Sequence, residues 1–80
     1  MNKVMHLSAL GKGKKAIIQS FSDPDTGLKM IELGCIPGRE IQMVRKAPLG
    51  DPMAVLCAGT LVSIRRIEAH HILIEPLERD

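Results

Sequence analysis

From residue 39 to residue 74, apolar side chains recur at every second position, interrupted by short breaks rich in Gly, Pro and Asp. Ile41 and Met43 alternate with Glu40 and Gln42. Met53, Val55 and Cys57 alternate with Ala54 and Leu56, Val62 and Ile64 with Leu61 and Ser63, and Ile72 and Ile74 close the series. A period of two sends successive side chains to opposite faces of an extended chain. These runs therefore predict strands over residues 39–46, 53–58, 61–65 and 71–75, with the named alternating residues turned inward. Residues 14–21 predict a further strand. There Ile17 and Ile18 sit side by side, which implies either two covered faces or a bend.

One segment changes period. Ser22-Asp23-Pro24-Asp25-Thr26 collects residues that open helices, with acids where a helix N-terminus favours them. A short helix is predicted over residues 27–33, with Leu28, Ile31 and Leu33 sharing its apolar face and Lys29 and Glu32 in solvent. Gly34 is placed to end it in the left-handed conformation. Ile36-Pro37-Gly38 reads as a turn, because proline presets the first central residue and glycine tolerates positive φ at the second. Gly59-Thr60 reads as a tight hairpin. Residues 5–10 and 66–70 each predict a single helical turn, the first laid over the core as a lid by Met5, Leu7 and Leu10.

Several short strands separated by tight turns, in a chain of 80 residues, favour a small closed or partly closed barrel. The expected fold is mainly β: an SH3-like barrel of about five strands with one short inserted helix, as a single domain over residues 1–80. Closure also removes the edges that aliphatic strands offer for aggregation. Phe21 is the only aromatic residue, so the core has to be aliphatic.

A net charge of +2 is too small to demand a polyanionic partner. The charge is uneven, with Lys3, Lys12, Lys14 and Lys15 near the start and Glu75, Glu78 and Asp80 at the end. The lysines read as a solvated face. No apolar run reaches the roughly 18–20 residues of a membrane helix, and His6 and Ser8 interrupt any signal-peptide core. Two cysteines make no disulfide framework. A cytoplasmic protein with reduced thiols is expected.

The candidate chemistry is sparse. Gly11-Lys12-Gly13-Lys14-Lys15 lacks the spacing of a phosphate loop and leads into a strand, so no helix N-terminus faces a phosphate. His6, His70, His71, Cys35 and Cys57 show no ligand spacing that would place two on one metal. Cys57 is expected buried as a small apolar residue, and Cys35 more exposed. Glu68 near His70 and His71 has no positioned nucleophile beside it. Single-strand binding needs aromatic platforms that this chain lacks. No catalytic residue, metal site or cofactor is expected, and no nucleic acid or inserted membrane segment as a partner.

What remains is a shaped loop, Ala47-Pro48-Leu49-Gly50-Asp51-Pro52, ten residues after a glycine-proline turn. Combined with Leu28, Leu33-Gly34, Ile36-Pro37-Gly38, Ile41, Val44, Ile64-Arg65-Arg66 and Glu68-Ala69, it resembles the FeoA family across nearly the whole chain. The resemblance implies a small cytosolic accessory of bacterial Fe(II) uptake that contacts FeoB, the membrane transporter. The fold it implies also occurs as the C-terminal module of diphtheria-toxin-repressor-type regulators, which leaves a metal-linked regulatory module as the alternative. The expected contact surface combines the exposed side of the helical insert (Leu28, Lys29, Glu32) with the loop tip (Leu49, Gly50, Asp51) and the pair Arg65 and Arg66. Two prolines limit the loop's freedom before docking, which lowers the ordering cost. Its competitor is Leu49 folded back as a plug in the barrel mouth. Oligomeric state is left open.

Overall fold

The aliphatic alternation resolves into one antiparallel sheet in a computed structural model that describes residues 3–77. Its elements are β1 (Met5–His6), a 3-10 turn (Leu7–Ala9), β2 (Lys15–Phe21), α1 (Pro24–Glu32), β3 (Glu40–Lys46), β4 (Met53–Cys57), β5 (Thr60–Ile64), α2 (Arg66–Ala69) and β6 (Ile72–Pro76). The strands lie in the order β1-β6-β2-β3-β4-β5. The acidic residues Glu78 and Asp80 lie outside the described residues.

Every alternating position expected to face inward does so: Ile41, Met43, Met53, Val55, Cys57, Val62, Ile64, Ile72 and Ile74 are all buried. Leu7 and Leu10 join them from the N-terminal turn, as expected of the lid. Each large aliphatic side chain fully buried here contributes about 1.5–3 kcal/mol relative to exposure. Of the two readings of Ile17-Ile18, both hold: Ile18 is buried and Ile17 half-buried, and the β2–β6 pairing slips between Ile18 and Ser20. A second slip between Met43 and Arg45 curves β3 against β4. Such bulges add twist, which turns a sheet of short strands towards closure.

Four expectations need correction. There are six strands, because Met5–His6 pairs with β6 before the N-terminal turn begins; a two-residue strand leaves no alternation to read. The hairpin turn is Ala58-Gly59, one residue earlier than expected, with φ of 54° and 75°. Positive φ at both central residues is what a two-residue hairpin requires. Cys35 is fully buried. The reason is the helix stop: Gly34 (φ +83°) donates to Ile31 O at 2.9 Å and Cys35 N to Met30 O at 2.8 Å. This pair of bonds folds the residue after the glycine back onto the helix's last turn.

The fourth correction concerns α1. The helix starts at Pro24, three residues earlier than expected, capped by Asp23, and it buries Thr26, Gly27 and Met30. Leu28, Ile31 and Leu33 are 58%, 51% and 39% exposed. The packing face is therefore not the face that carries the leucines. Gly27 shows why: a Cβ there would lie 3.3 Å from Phe21 Cβ and Cδ2, so at Gly27 the helix backbone lies close over Phe21, with Met30 buried beside it.

Candidate protein-contact surface

Loop 47–52 is built as a rigid projection. Gly50 N donates to Ala47 O at 2.7 Å and Ala47 N to Pro52 O at 3.0 Å, with Gly50 at φ +81°. The next residue fastens the loop to α2: Asp51 Oδ1 accepts from Arg66 N at 2.9 Å. A carboxylate is thus supplied to a helix start from a different element, where free N–H groups favour an anion. Gly50 lies near the Arg66 guanidinium, 3.5 Å from its would-be Cβ. Leu49, held at the tip, is 88% exposed. It does not plug the barrel.

The same short helix is tied to α1. Lys29 Nζ donates to both Glu68 carboxylate oxygens at 3.1 Å. Glu68 also accepts from Arg65 N at 2.9 Å and, more loosely, from the Arg65 guanidinium at 3.5 Å. Burial pushes the Glu68 carboxyl up, but the Arg65 N–H and the Lys29 ammonium outweigh it, and the group ends below the usual carboxylate range. Asp23 is lowered as well, by the backbone N–H and then the hydroxyl of Thr26, each 2.9 Å from its Oδ2. Three elements, α1, α2 and the loop, therefore form one fastened patch.

The residues expected at a contact surface divide into two groups. Leu28, Glu32 and Leu49 are exposed. Lys29, Asp51 and Arg65 are drawn into the internal ties just described, while Gly50 and Arg66 meet at the loop–α2 junction. Sequence reasoning missed Ile67, 68% exposed on α2, and the linking role of Glu68. Glu68 had a signal, since it stands three residues after Arg65 at capping-box spacing. Ile67 had none, because a four-residue helix is too short to show a period. It lines a recess of about 300 Å³ with Asp23, Asp25, Thr26, Arg65, Glu68 and His71, and a second hollow with Asp51 and Arg66. It therefore bridges the helix side of the patch to the loop side.

The remaining reactive groups are occupied. His6 and His70 stack with ring centroids 4.1 Å apart, and His6 Nδ1 lies 2.7 Å from His70 O. Stacked rings direct their lone pairs in parallel planes, away from a common ion. His71 turns the other way, to Ser22 Oγ at 3.0 Å. Among the described residues no three His, Cys, Asp or Glu side chains gather at a metal-sized site. Cys57 is buried, and burial followed by a hydrogen bond with Cys35 pushes its thiol up to about 12. It is a protonated thiol at neutral pH, a weak nucleophile and a poor ligand. Among the described residues no helix is long and apolar enough to cross a membrane.

Comparison with known proteins adds to this geometry. The FeoA domain model matches residues 5–76. Comparison with curated proteins gives no significant match. Among solved structures, the FeoA protein from Chlorobium tepidum is 38% identical with a TM-score of 0.87, the match covering 95% of this chain and 73% of that one. The FeoA of Stenotrophomonas maltophilia is 31% identical with a TM-score of 0.77, covering 88% of each chain. That protein was crystallised with zinc and is described as a procaryotic SH3-domain protein proposed as a ferrous iron transport activating factor. A manganese-dependent transcriptional repressor superposes with a TM-score of 0.84 over 96% of this chain and 44% of its own, at 15% identity. That last likeness is one of fold.

Proposed function

The chain belongs to the FeoA family, an SH3-like fold linked to ferrous iron transport, and from that premise we propose that it is a non-enzymatic cytoplasmic accessory of Fe(II) uptake that acts by contact with the FeoB transporter. One observation carries the reading. Three exposed aliphatic side chains, Leu28, Ile67 and Leu49, stand on three elements that Lys29–Glu68 and Arg66–Asp51 hold together. Apolar side chains on a pre-fastened frame lose little entropy on docking, which is how a small patch gains affinity. Asp25 and Arg65 line the recess beside Ile67 with charge, as polar rims surround apolar contact centres.

The test is binding of the purified chain to detergent-solubilised transporter at physiological salt. Leu49→Asp and Leu28→Asp each lower affinity at least tenfold while the amide spectrum stays that of the folded chain. Unchanged binding by a folded Leu49→Asp chain removes the loop tip from the surface. Comparison with the transporter's isolated GTP-binding domain then places the contact on that domain or elsewhere on its cytosolic face.

A further inference from the structure

The open edge of the sheet supports a second docking site, beyond the patch just described and independent of it. β5 has a neighbour on one side only. The direction of its backbone groups follows from the hairpin. Cys57 and Thr60 flank the two-residue turn and form its closing hydrogen-bonded pair, so Val55–Val62 and Met53–Ile64 are the pairs that bond across to β4. Leu61 and Ser63 lie between them, so their N–H and C=O groups point away from the sheet. No turn or loop hydrogen bond among the described residues reaches either.

Natural sheets guard such edges with charges, prolines, bulges or brevity. β1, at the other edge, is two residues long. β5 is five residues, Thr-Leu-Val-Ser-Ile, with no charge, no proline and no slip against β4. Beside it lies a groove of about 490 Å³, floored by Ala54, Leu61, Val62 and Ser63 and walled by Pro48 and Pro52.

We propose that the β5 edge binds an extended segment of a partner protein as an added strand, and that this segment carries an acidic residue two positions before an aliphatic one. The charge comes from Arg45. Cross-strand pairing sets Arg45, Ala54 and Ser63 in one row on the outer face of the sheet, and Gln42, Leu56 and Leu61 in the next. Among the described residues Arg45 forms no ion pair, and no acid lines the groove. An added strand lies three strand spacings from β3, about 14 Å. Extended arginine and glutamate side chains reaching towards each other over the small Ala54 and Ser63 bring their charges close enough to attract, without closing the whole gap. In the antiparallel direction, the residue opposite Ser63 precedes the one opposite Leu61 by two. The first is therefore acidic, to meet Arg45, and the second aliphatic, to cover Leu61 (62% exposed) and Leu56 (42%). Main-chain bonds supply the affinity and this alternate pair the specificity.

The experiment uses the isotope-labelled full chain and an acetylated, amidated peptide, Thr-Val-Thr-Glu-Thr-Val-Thr. Before addition, the Leu61 and Ser63 amides exchange with solvent faster than that of Val62. On titration, saturable shifts centre on Leu61 and Ser63. A peptide N-methylated at Glu and at the second Val binds at least tenfold more weakly, and so does the Arg45→Glu chain. Ser63→Pro is the decisive variant: its missing N–H points outward, so the β4 ladder and the fold survive while peptide binding is lost. Shifts absent at millimolar peptide, centred on another face, or equal for the N-methylated peptide overturn the proposal. So does a chain whose Leu61 and Ser63 amides are already protected while its mass doubles with concentration, since a second copy then occupies the edge.

Discussion

Strands β3 to β5 and helix α1 carry similar aliphatic residues and use them in opposite ways. In the strands, the inward Ile, Met and Val side chains are buried, and the outward row is half-buried or exposed, Leu56 and Leu61 included. In α1, Met30 goes inward with Thr26 and Gly27, while Leu28 and Ile31 are more than half exposed. A strand in a sheet has its inward face set by pairing with its neighbour, and a two-residue period leaves a single solution. A helix laid over a barrel rotates to the face that packs closest. Here that face is the one with Gly27, which lets the backbone approach Phe21 while Met30 fills the space beside it. Two-residue alternation therefore reports burial in the strands, while leucine spacing does not report the packed face of the helix.

That contrast is broken most severely in the core. Ile41→Ala is expected to cost about 2–5 kcal/mol, read by urea denaturation, because the barrel wall cannot collapse around the lost side chain. Gly27→Leu comes next, at about 1–3 kcal/mol, since the new side chain has to displace Phe21.

Glu68→Gln sharpens the comparison through pH. The carboxyl of Glu68 is lowered in the folded chain, so its contribution is present above the ordinary carboxylate range and is lost as pH falls through the lowered value. In the variant, stability at neutral pH drops and the fall in stability on acidification becomes shallower, as measured by denaturation between pH 7 and pH 3. Part of the slope remains, because the Asp23 carboxyl is lowered too.

The smallest effect on stability belongs to the exposed aliphatics. Leu28→Ala and Leu49→Ala are expected to change stability by no more than about 0.5 kcal/mol. A Leu28→Ala cost approaching that of Ile41→Ala would show that the helix buries its leucine face in solution.

The barrel was legible because it rests on local signals that neighbours reinforce: alternation, glycine stops at Gly34 and Gly38, and proline-glycine turn chemistry. Of the residues proposed for contact, the sequence showed exposure and missed the internal ties. Leu28, Glu32 and Leu49 were placed where exposure leaves them free, but the roles of Lys29, Asp51 and Arg65 were not. Each of these has a bonding partner that is distant in sequence or hidden in a helix too short to show a period. Lys29 meets Glu68 across 39 positions and Asp51 meets Arg66 across 15. Cys35 was misplaced for a related reason, since a helix stop shows where the helix ends and not that the next residue is folded under it.

The sequence by itself determined which residues alternate, where the chain must turn, and therefore a small aliphatic barrel with one helix inserted. Those outcomes depend on φ preferences and on a two-residue period, both set within a few neighbours. Only the tertiary structure decided which face of α1 packs, which charges are spent on internal ties, and that β5 is left with an unguarded edge. These depend on distances between elements that no local pattern encodes.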